Sequence, residues 1–393
     1  MTTTTLAAPH TPPGRLEWAA LVALVCFVAS LQVSIAAAGI LLSITLAAWA
    51  AVVARGNERV EVPRMFWPLA AYAGATLVSV AFSRDPLTSL VDSKQLLLFL
   101  IVPVVYRLAR GDRAAALTTV IITVGAISAV IGIVQYGVLQ YDHLGRRPQG
   151  VLSHYMTYSG LLMLVSGVAA ARLIYRTEDR LWPALVMPAL LVALGLTFTR
   201  SAWVGACAAI SLLLMLRDRR LLALVPVALA LSIAFAPASV TDRIYSMFDL
   251  NDPSNRDRVA MMESGLSMVR DHPLTGLGPN MVEVAYPSYR TERAVNEFNP
   301  HLHNVPMHIA AERGLPALAI WCWFIATLAW DMVRRLRTSR QPAYAAAALA
   351  AVVSMLAAGF FEYNFGDSEF LMLFLVLITL PYAVEPDRPA PPA

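Results

Sequence analysis

Long uncharged apolar stretches alternate with short arginine-bearing segments along the whole chain, the pattern of membrane-crossing helices joined by loops. Between Glu17 and Arg55 lie 37 uncharged residues, which as one helix at 1.5 Å per residue would extend about 55 Å. A hydrocarbon core is about 30 Å thick, so the spacing predicts two helices turning near Gln32 to Ser34. Further apolar runs follow at about 65–83, 95–106, 114–139, 155–171, 181–198, 201–216, 221–238, 305–333, 343–361 and 369–384. With the opening hairpin they predict twelve spans, and the fold class is an all-α polytopic membrane protein.

One polar insertion interrupts this series, and it divides the single membrane domain into residues 1–238, the loop 239–304, and 305–393. Inside the loop, Ser254-Asn255-Arg256-Asp257 reads as a capping-box-like helix start. Val259, Met262, Leu266 and Val269 then recur on one face until Asp271-His272-Pro273. This predicts a short amphipathic helix lying on the membrane surface, followed by a turn at Gly276-Leu277-Gly278-Pro279.

Charge adds an orientation. Short cytoplasmic loops accumulate basic residues, and an arrangement with the N-terminus inside places 18 of the 30 Lys and Arg residues on the cytoplasmic side, Arg388 among them. Both termini are then cytoplasmic and the long loop faces the periplasm or exterior. Met1 to Gly14 has no basic region of the signal-peptide kind, so the first apolar stretch reads as a retained span. The composition, 58% hydrophobic and 14% charged, excludes large soluble domains, and no basic run is long enough for a nucleic-acid arm. Cys26, Cys207 and Cys322 each fall in an apolar segment, which argues against a disulfide framework or a thiolate metal cage.

Candidate chemistry lies on the outer side. Arg146-Arg147, Arg200 in Thr197-Phe198-Thr199-Arg200-Ser201, and Arg256 and Arg258 gather where the charge rule leaves arginine scarce. Guanidinium groups bind phosphate bidentately and stay charged, so a phosphorylated lipid headgroup is the expected ligand. The competing reading pairs these arginines with Asp142, Asp242 or Asp257. His301 and the pair His303-Asn304 follow the loop and open a helix carrying Glu312-Arg313-Gly314. His303 is the candidate general base, because imidazole titrates nearest neutrality; a structural hydrogen-bonding role is the competing reading. Glu312 could orient the hydroxyls of a ligand or pair with Arg313, and the turn Glu362 to Asp367 supplies secondary candidates. The sequence shows no Asp-x-Asp pair on the outer side and no His and carboxylate cluster at metal-ligand spacing, so neither a metal nor any other cofactor is expected.

Taken together, Thr197-Phe198-Thr199-Arg200-Ser201, the loop motif Ser254-Asn255-x-x-Arg258, His272-Pro273-Leu274-x-Gly276-x-Gly278, and His303-Asn304 leading to Glu312-x-Gly314 resemble the O-antigen ligase and polymerase superfamily over about residues 140 to 370. The resemblance implies a twelve-helix inner-membrane glycosyltransferase that takes a glycan from undecaprenyl diphosphate on the periplasmic side. In the ligases the acceptor is a sugar hydroxyl of the lipid A core. Arg200, Arg258 and His303 carry the family's functional arginines and histidine; Arg147, Arg256, His301, Asn304 and Glu312 are the accompanying candidates for substrate binding. Met262 departs from the pattern, standing where many relatives have tryptophan.

A ligase is the leading reading. The alternatives are a polymerase that extends repeat units on the lipid carrier and an O-linked protein oligosaccharyltransferase, which the short Pro/Ala tail disfavours. A transporter would place ionisable groups near the bilayer midplane, whereas these runs carry their charge mainly at the rims.

Overall fold

The computed structural model describes residues 14–56, 59–176 and 178–386. The N-terminal segment before Gly14, Arg388 and the Pro/Ala tail lie outside the described residues. Among the described residues there is no strand, only an isolated bridge between His143 and Arg146.

The opening uncharged stretch folds as a hairpin of α1 (Arg15–Ser30) and α2 (Ile35–Gly56), with Val33 and Ser34 bonding back to the Ser30 carbonyl. After α3 (Phe66–Ala81), the chain continues through α4 (Pro86–Asp92), a 3-10 stretch at Ser93–Leu100 and α5 (Ile101–Leu108) as one apolar rod. That rod begins well before the expected run at residue 95. Asp85 caps it, accepting from the amides of Leu87 and Thr88, and Pro86 fixes its first turn. There follow α6 (Arg113–Gly137), α7 (Tyr155–Tyr175), α8 (Leu181–Leu196) and α9 (Arg200–Arg217). Next come α10 (Leu224–Phe235), α11 (Ala238–Tyr245), α12 (Pro253–Asp271) and α13 (Val282–Tyr289). The chain closes with α14 (Val305–Thr338), α15 (Pro342–Gly359) and α16 (Ser368–Val384).

Among the described residues, seven helical stretches are long and apolar enough to cross a membrane: α2, the α4–α5 rod, α6, α7, α9, α14 and α15. Helices α3, α8 and α16 are apolar but shorter. The chain is thus an all-helical, multi-pass membrane protein. At the centre, α15 packs against α7, α9, α14 and α16. Its alanine-rich face from Ala343 to Ala351 lets neighbouring backbones approach closely, as small residues do in bilayers.

The expected straight span at 305–333 is broken. Gly314 stands at φ 80°, ψ 169°, a region essentially confined to glycine, so a half-helix from Val305 to Arg313 is set off from the rest of α14. The turn after α12 fills the break: Leu277 and Gly278 donate to the carbonyls of Ala311 and Glu312 at 2.9 and 2.8 Å, and Leu315 donates to Pro273 at 2.8 Å. A β-carbon on Gly276 would stand 2.2 Å from the Glu312 carbonyl carbon. The two glycine motifs, 276–278 and 314, therefore meet as the halves of one structural joint.

Helix α12 exists where expected, with a different cap. Asp252, rather than Ser254, caps it, accepting from the amides of Ser254 and Asn255. Ala260, Met261, Ser264, Gly265 and Met268 turn inward, and Met261 and Met268 pack with Leu277, Met281 and Leu302. The predicted stripe points outward at Val259, Met262 and Leu266, so the departure at Met262 does not touch this packing.

Candidate active site

One end of the bundle collects the segment after α6, the N-termini of α7 and α9, the α11–α13 insertion, the half-helix of α14 and the α15–α16 turn. Arg200 reaches it because α8 stops sharply. Phe198 takes a positive φ of 55°, and Thr197 Oγ1 and Trp203 Nε1 both donate to the Leu194 carbonyl, at 2.7 and 2.9 Å. Arg200 then starts α9 with its side chain only 6% exposed. It donates to the Ser246 carbonyl at 2.9 Å and lies 3.3 Å from Asp252 Oδ1.

Arg243, from α11, stands 3.6 Å from the other oxygen of Asp252. Arg258 donates to Ser254 Oγ at 3.1 Å and to the Phe361 carbonyl at 3.2 Å. Arg147 donates to the Leu144 carbonyl at 3.0 Å and lies over the Tyr155 ring at 4.2 Å. All four guanidinium groups line one cavity of about 260 Å³. Burial lowers the proton affinity of Arg147, and the charge of Arg200 lowers it further. Burial and the charges of Arg200 and Arg147 bring Arg243 down to about 10. Arg258 is also lowered by burial, against the pull of Glu362.

Beside this cavity stands a cluster that linear spacing does not display. His303 Nδ1 lies 3.0 and 3.1 Å from the two carboxylate oxygens of Glu362, and His301 Nε2 lies 3.3 Å from Oε1. The two imidazole rings are 4.3 Å apart. His303 adopts a positive φ of 47°, and Asn304 holds the following helix. Its side chain accepts from the Met307 amide at 2.9 Å and donates to the Phe360 carbonyl at 3.2 Å. Burial favours the protonated form of Glu362, but the charge of His303 and the hydrogen bonds from both histidines outweigh it and hold the carboxyl below its ordinary range.

His301, Glu362, Thr157 and Asp367 line a second cavity of about 210 Å³. A narrow space walled by Met156, Thr199, Ser201 and Glu362 lies between it and the arginine cavity. Against the expectation that no His and carboxylate cluster has metal-ligand spacing, ligand atoms of His301, His303 and Glu362 all lie within 4.8 Å of one another. The cluster was invisible in the linear pattern because Glu362 is 59 residues from His303.

The sequence-predicted residues thus divide. Arg147, Arg200 and Arg258 share a cavity, with His301, His303 and Asn304 beside it. Arg256 is exposed on α12, outside both cavities. Glu312, only 2% exposed, lies beneath the site with His308 Nε2 at 3.3 Å and Arg313 at 2.8 Å. Its backbone carbonyl belongs to the glycine joint. Asp257, named as an arginine partner, instead accepts from the amides of Val295 and Asn296 and from the Asn296 side chain. The carboxylate that pairs with the arginines is Asp252. Its position just before Pro253 at a helix start is the readable signal for it; Arg243 carried none beyond its place in the loop.

No curated protein matches this chain. Residues 183–322, running from α8 through the inserted loop into α14, match the family model described as O-antigen ligase.

Proposed function

We propose that the protein is a lipid-diphosphate-dependent glycan ligase of the bacterial inner membrane. It would move a glycan from undecaprenyl diphosphate to a sugar hydroxyl of the lipid A core, or another glycan acceptor, on the periplasmic face. The observation that carries this reading is the convergence of Arg147, Arg200, Arg243 and Arg258 on one cavity beside the His301–Glu362–His303 cluster. The family suggests ligase- or polymerase-like glycosyl transfer.

In this reading the arginine cavity takes the diphosphate. The acceptor oxygen attacks the anomeric carbon, the bond from that carbon to the phosphate oxygen breaks, and the pair of electrons leaves with the diphosphate. Fixed guanidinium donors stabilise the charge that develops there. His303 removes the hydroxyl proton. A carboxylate that accepts from Nδ1 fixes the imidazole tautomer with Nε2 free to act as base, the role a carboxylate plays in hydrolase triads. The second cavity, with Thr157 and Asp367 in its wall, offers groups suited to sugar hydroxyls. One displacement inverts the anomeric centre.

Expression in cells lacking either the native ligase or the native polymerase tests the reading. Polymer appearing on lipid A core supports a ligase; lengthened glycan retained on undecaprenyl diphosphate makes it a polymerase instead. Orientation has its own test. Asn255 and Asn296 lie in the loop at the site end, whereas Ser339 follows the far end of α14. In a background without the native cysteines, an impermeant thiol reagent added to intact cells should label Asn255→Cys and Asn296→Cys and spare Ser339→Cys. The reverse pattern overturns the periplasmic placement.

A further inference from the structure

The side chains of His301, His303 and Glu362 make a preformed set of three ligands, and we propose that they bind a divalent transition-metal ion of the Zn²⁺ type whose occupancy switches glycan transfer off. The separations suit such an ion. With metal–ligand bonds of about 2.0–2.2 Å, two ligands of a tetrahedral site lie roughly 3.3–3.5 Å apart; here His303 Nδ1 and His301 Nε2 stand 3.0 and 3.3 Å from Glu362 Oε1. Two imidazoles and one carboxylate are donors that favour Zn²⁺ over Mg²⁺. Three protein ligands also leave a fourth position for water. Arg258, which donates to the carbonyl of Phe361 next to Glu362, sets a positive charge nearby and moderates the affinity.

Inhibition follows from the tautomer, and this part rests on the assignment of His303 as base. A neutral imidazole carries one proton. When Nδ1–H donates to Glu362, Nε2 is free. When a metal takes Nδ1, that proton resides on Nε2, and the nitrogen that would accept the proton of the sugar hydroxyl is capped. Transfer and metal binding then use mutually exclusive states of the same three side chains.

The test uses tag-free, full-length protein in detergent micelles. Calorimetry with Zn²⁺ should give one site per chain, and Co²⁺ should give the intense visible absorption of a tetrahedral centre. Glu362→Gln and His301→Gln should each weaken Zn²⁺ binding by more than the roughly 10- to 100-fold lost on changing an outer-shell partner. The wild-type Co²⁺ spectrum decides the question should either variant fail to fold. In a transfer assay with the lipid-linked donor, Zn²⁺ should inhibit over its binding range, EDTA should restore the rate, and Mg²⁺ should do nothing. Absence of a binding isotherm and of the Co²⁺ spectrum overturns the metal site and leaves the role of His303 untouched. Stoichiometric binding without inhibition overturns the switch and removes His303 as base.

Discussion

Arginine keeps different company at the two ends of the helical bundle. Away from the candidate site, each of several arginines has a carboxylate: Arg113 lies 2.8 Å from Glu17, Arg110 2.5 Å from Glu61, Arg176 3.3 Å from Asp179, and Arg64 is paired with the buried Asp331. The cavity of about 320 Å³ at that end mixes Arg172, Arg176 and Arg340 with Asp112 and Glu178. At the site end, four arginines line a cavity into which one carboxylate, Asp252, projects among the described residues. The rest of their bonds go to carbonyls, two serine hydroxyls and an aromatic ring. Neutral acceptors position a guanidinium without cancelling its charge. The far end thus suits anchoring, whereas the cavity, with four arginines to one carboxylate, keeps a surplus of positive charge.

The comparison breaks most readily at the histidine. If the surplus charge serves a transfer reaction, His303→Ala should still bind the lipid-linked donor through the arginines and lose transfer by about 10²- to 10⁴-fold, with His301→Ala milder. Donor binding and turnover measured separately on purified protein decide this. A defect chiefly in donor binding would make His303 a phosphate ligand and return the search for a base to Asp367.

The next largest effect belongs to the guanidinium fork. Arg200→Lys and Arg258→Lys keep the charge but lose the paired donors, and each should lower transfer by about 10²- to 10³-fold, as for loss of one fixed donor to developing charge. Membrane expression should stay near normal. Rates near wild type in both variants would reduce the cavity to a diffuse attraction and erase its difference from the other end.

Apolar periodicity made most of the helices legible, because burial in lipid leaves few ways to satisfy a backbone. It failed where helix and hydrophobicity part. The rod from Pro86 carries Asp92, Lys94 and Gln95, polar residues that hid its first turns; Gln95 in fact bonds the Gly366 carbonyl at 2.7 Å. The break at Gly314 was hidden for the opposite reason, since apolar residues continue past it. Of the site, the arginine-bearing turns and His303 could be read one by one. Their convergence with Arg243, Asp252 and Glu362 is tertiary, set by how α11, α12 and the α15–α16 turn meet, and no local pattern encodes it. Helix α12 packs on the bundle through methionines at 261 and 268 and small residues at 260, 264 and 265, which leaves the bulkier apolar stripe of Val259, Met262 and Leu266 facing outward.

Weaker effects sharpen the other side of the comparison. Glu61→Gln removes the partner of Arg110 in an exposed pair, and such pairs contribute about 0–1 kcal/mol. Thermal unfolding should therefore shift little and transfer should be unchanged. A large loss of transfer would mean that the anchoring end also bears on catalysis.

The smallest effect should come from Arg256, and it is the most discriminating control for the cavity. Arg256 and Arg258 lie on the same helix with the same charge. Two residues at about 100° each set their side chains on opposite sides of it. Arg258 lines the cavity and bonds the carbonyl of Phe361, beside the His–Glu cluster, whereas Arg256 is exposed to solvent and outside it. A surface substitution of this kind shifts stability by no more than about 0.5 kcal/mol. If the cavity acts through fixed contacts, Arg256→Gln should leave both unfolding and transfer close to wild type while Arg258→Gln abolishes most transfer. If the loop merely raises the local positive potential, the two glutamine variants should fall together, and they should recover together as ionic strength masks the field in wild type. Steady-state transfer by both variants at low and high salt separates the two cases.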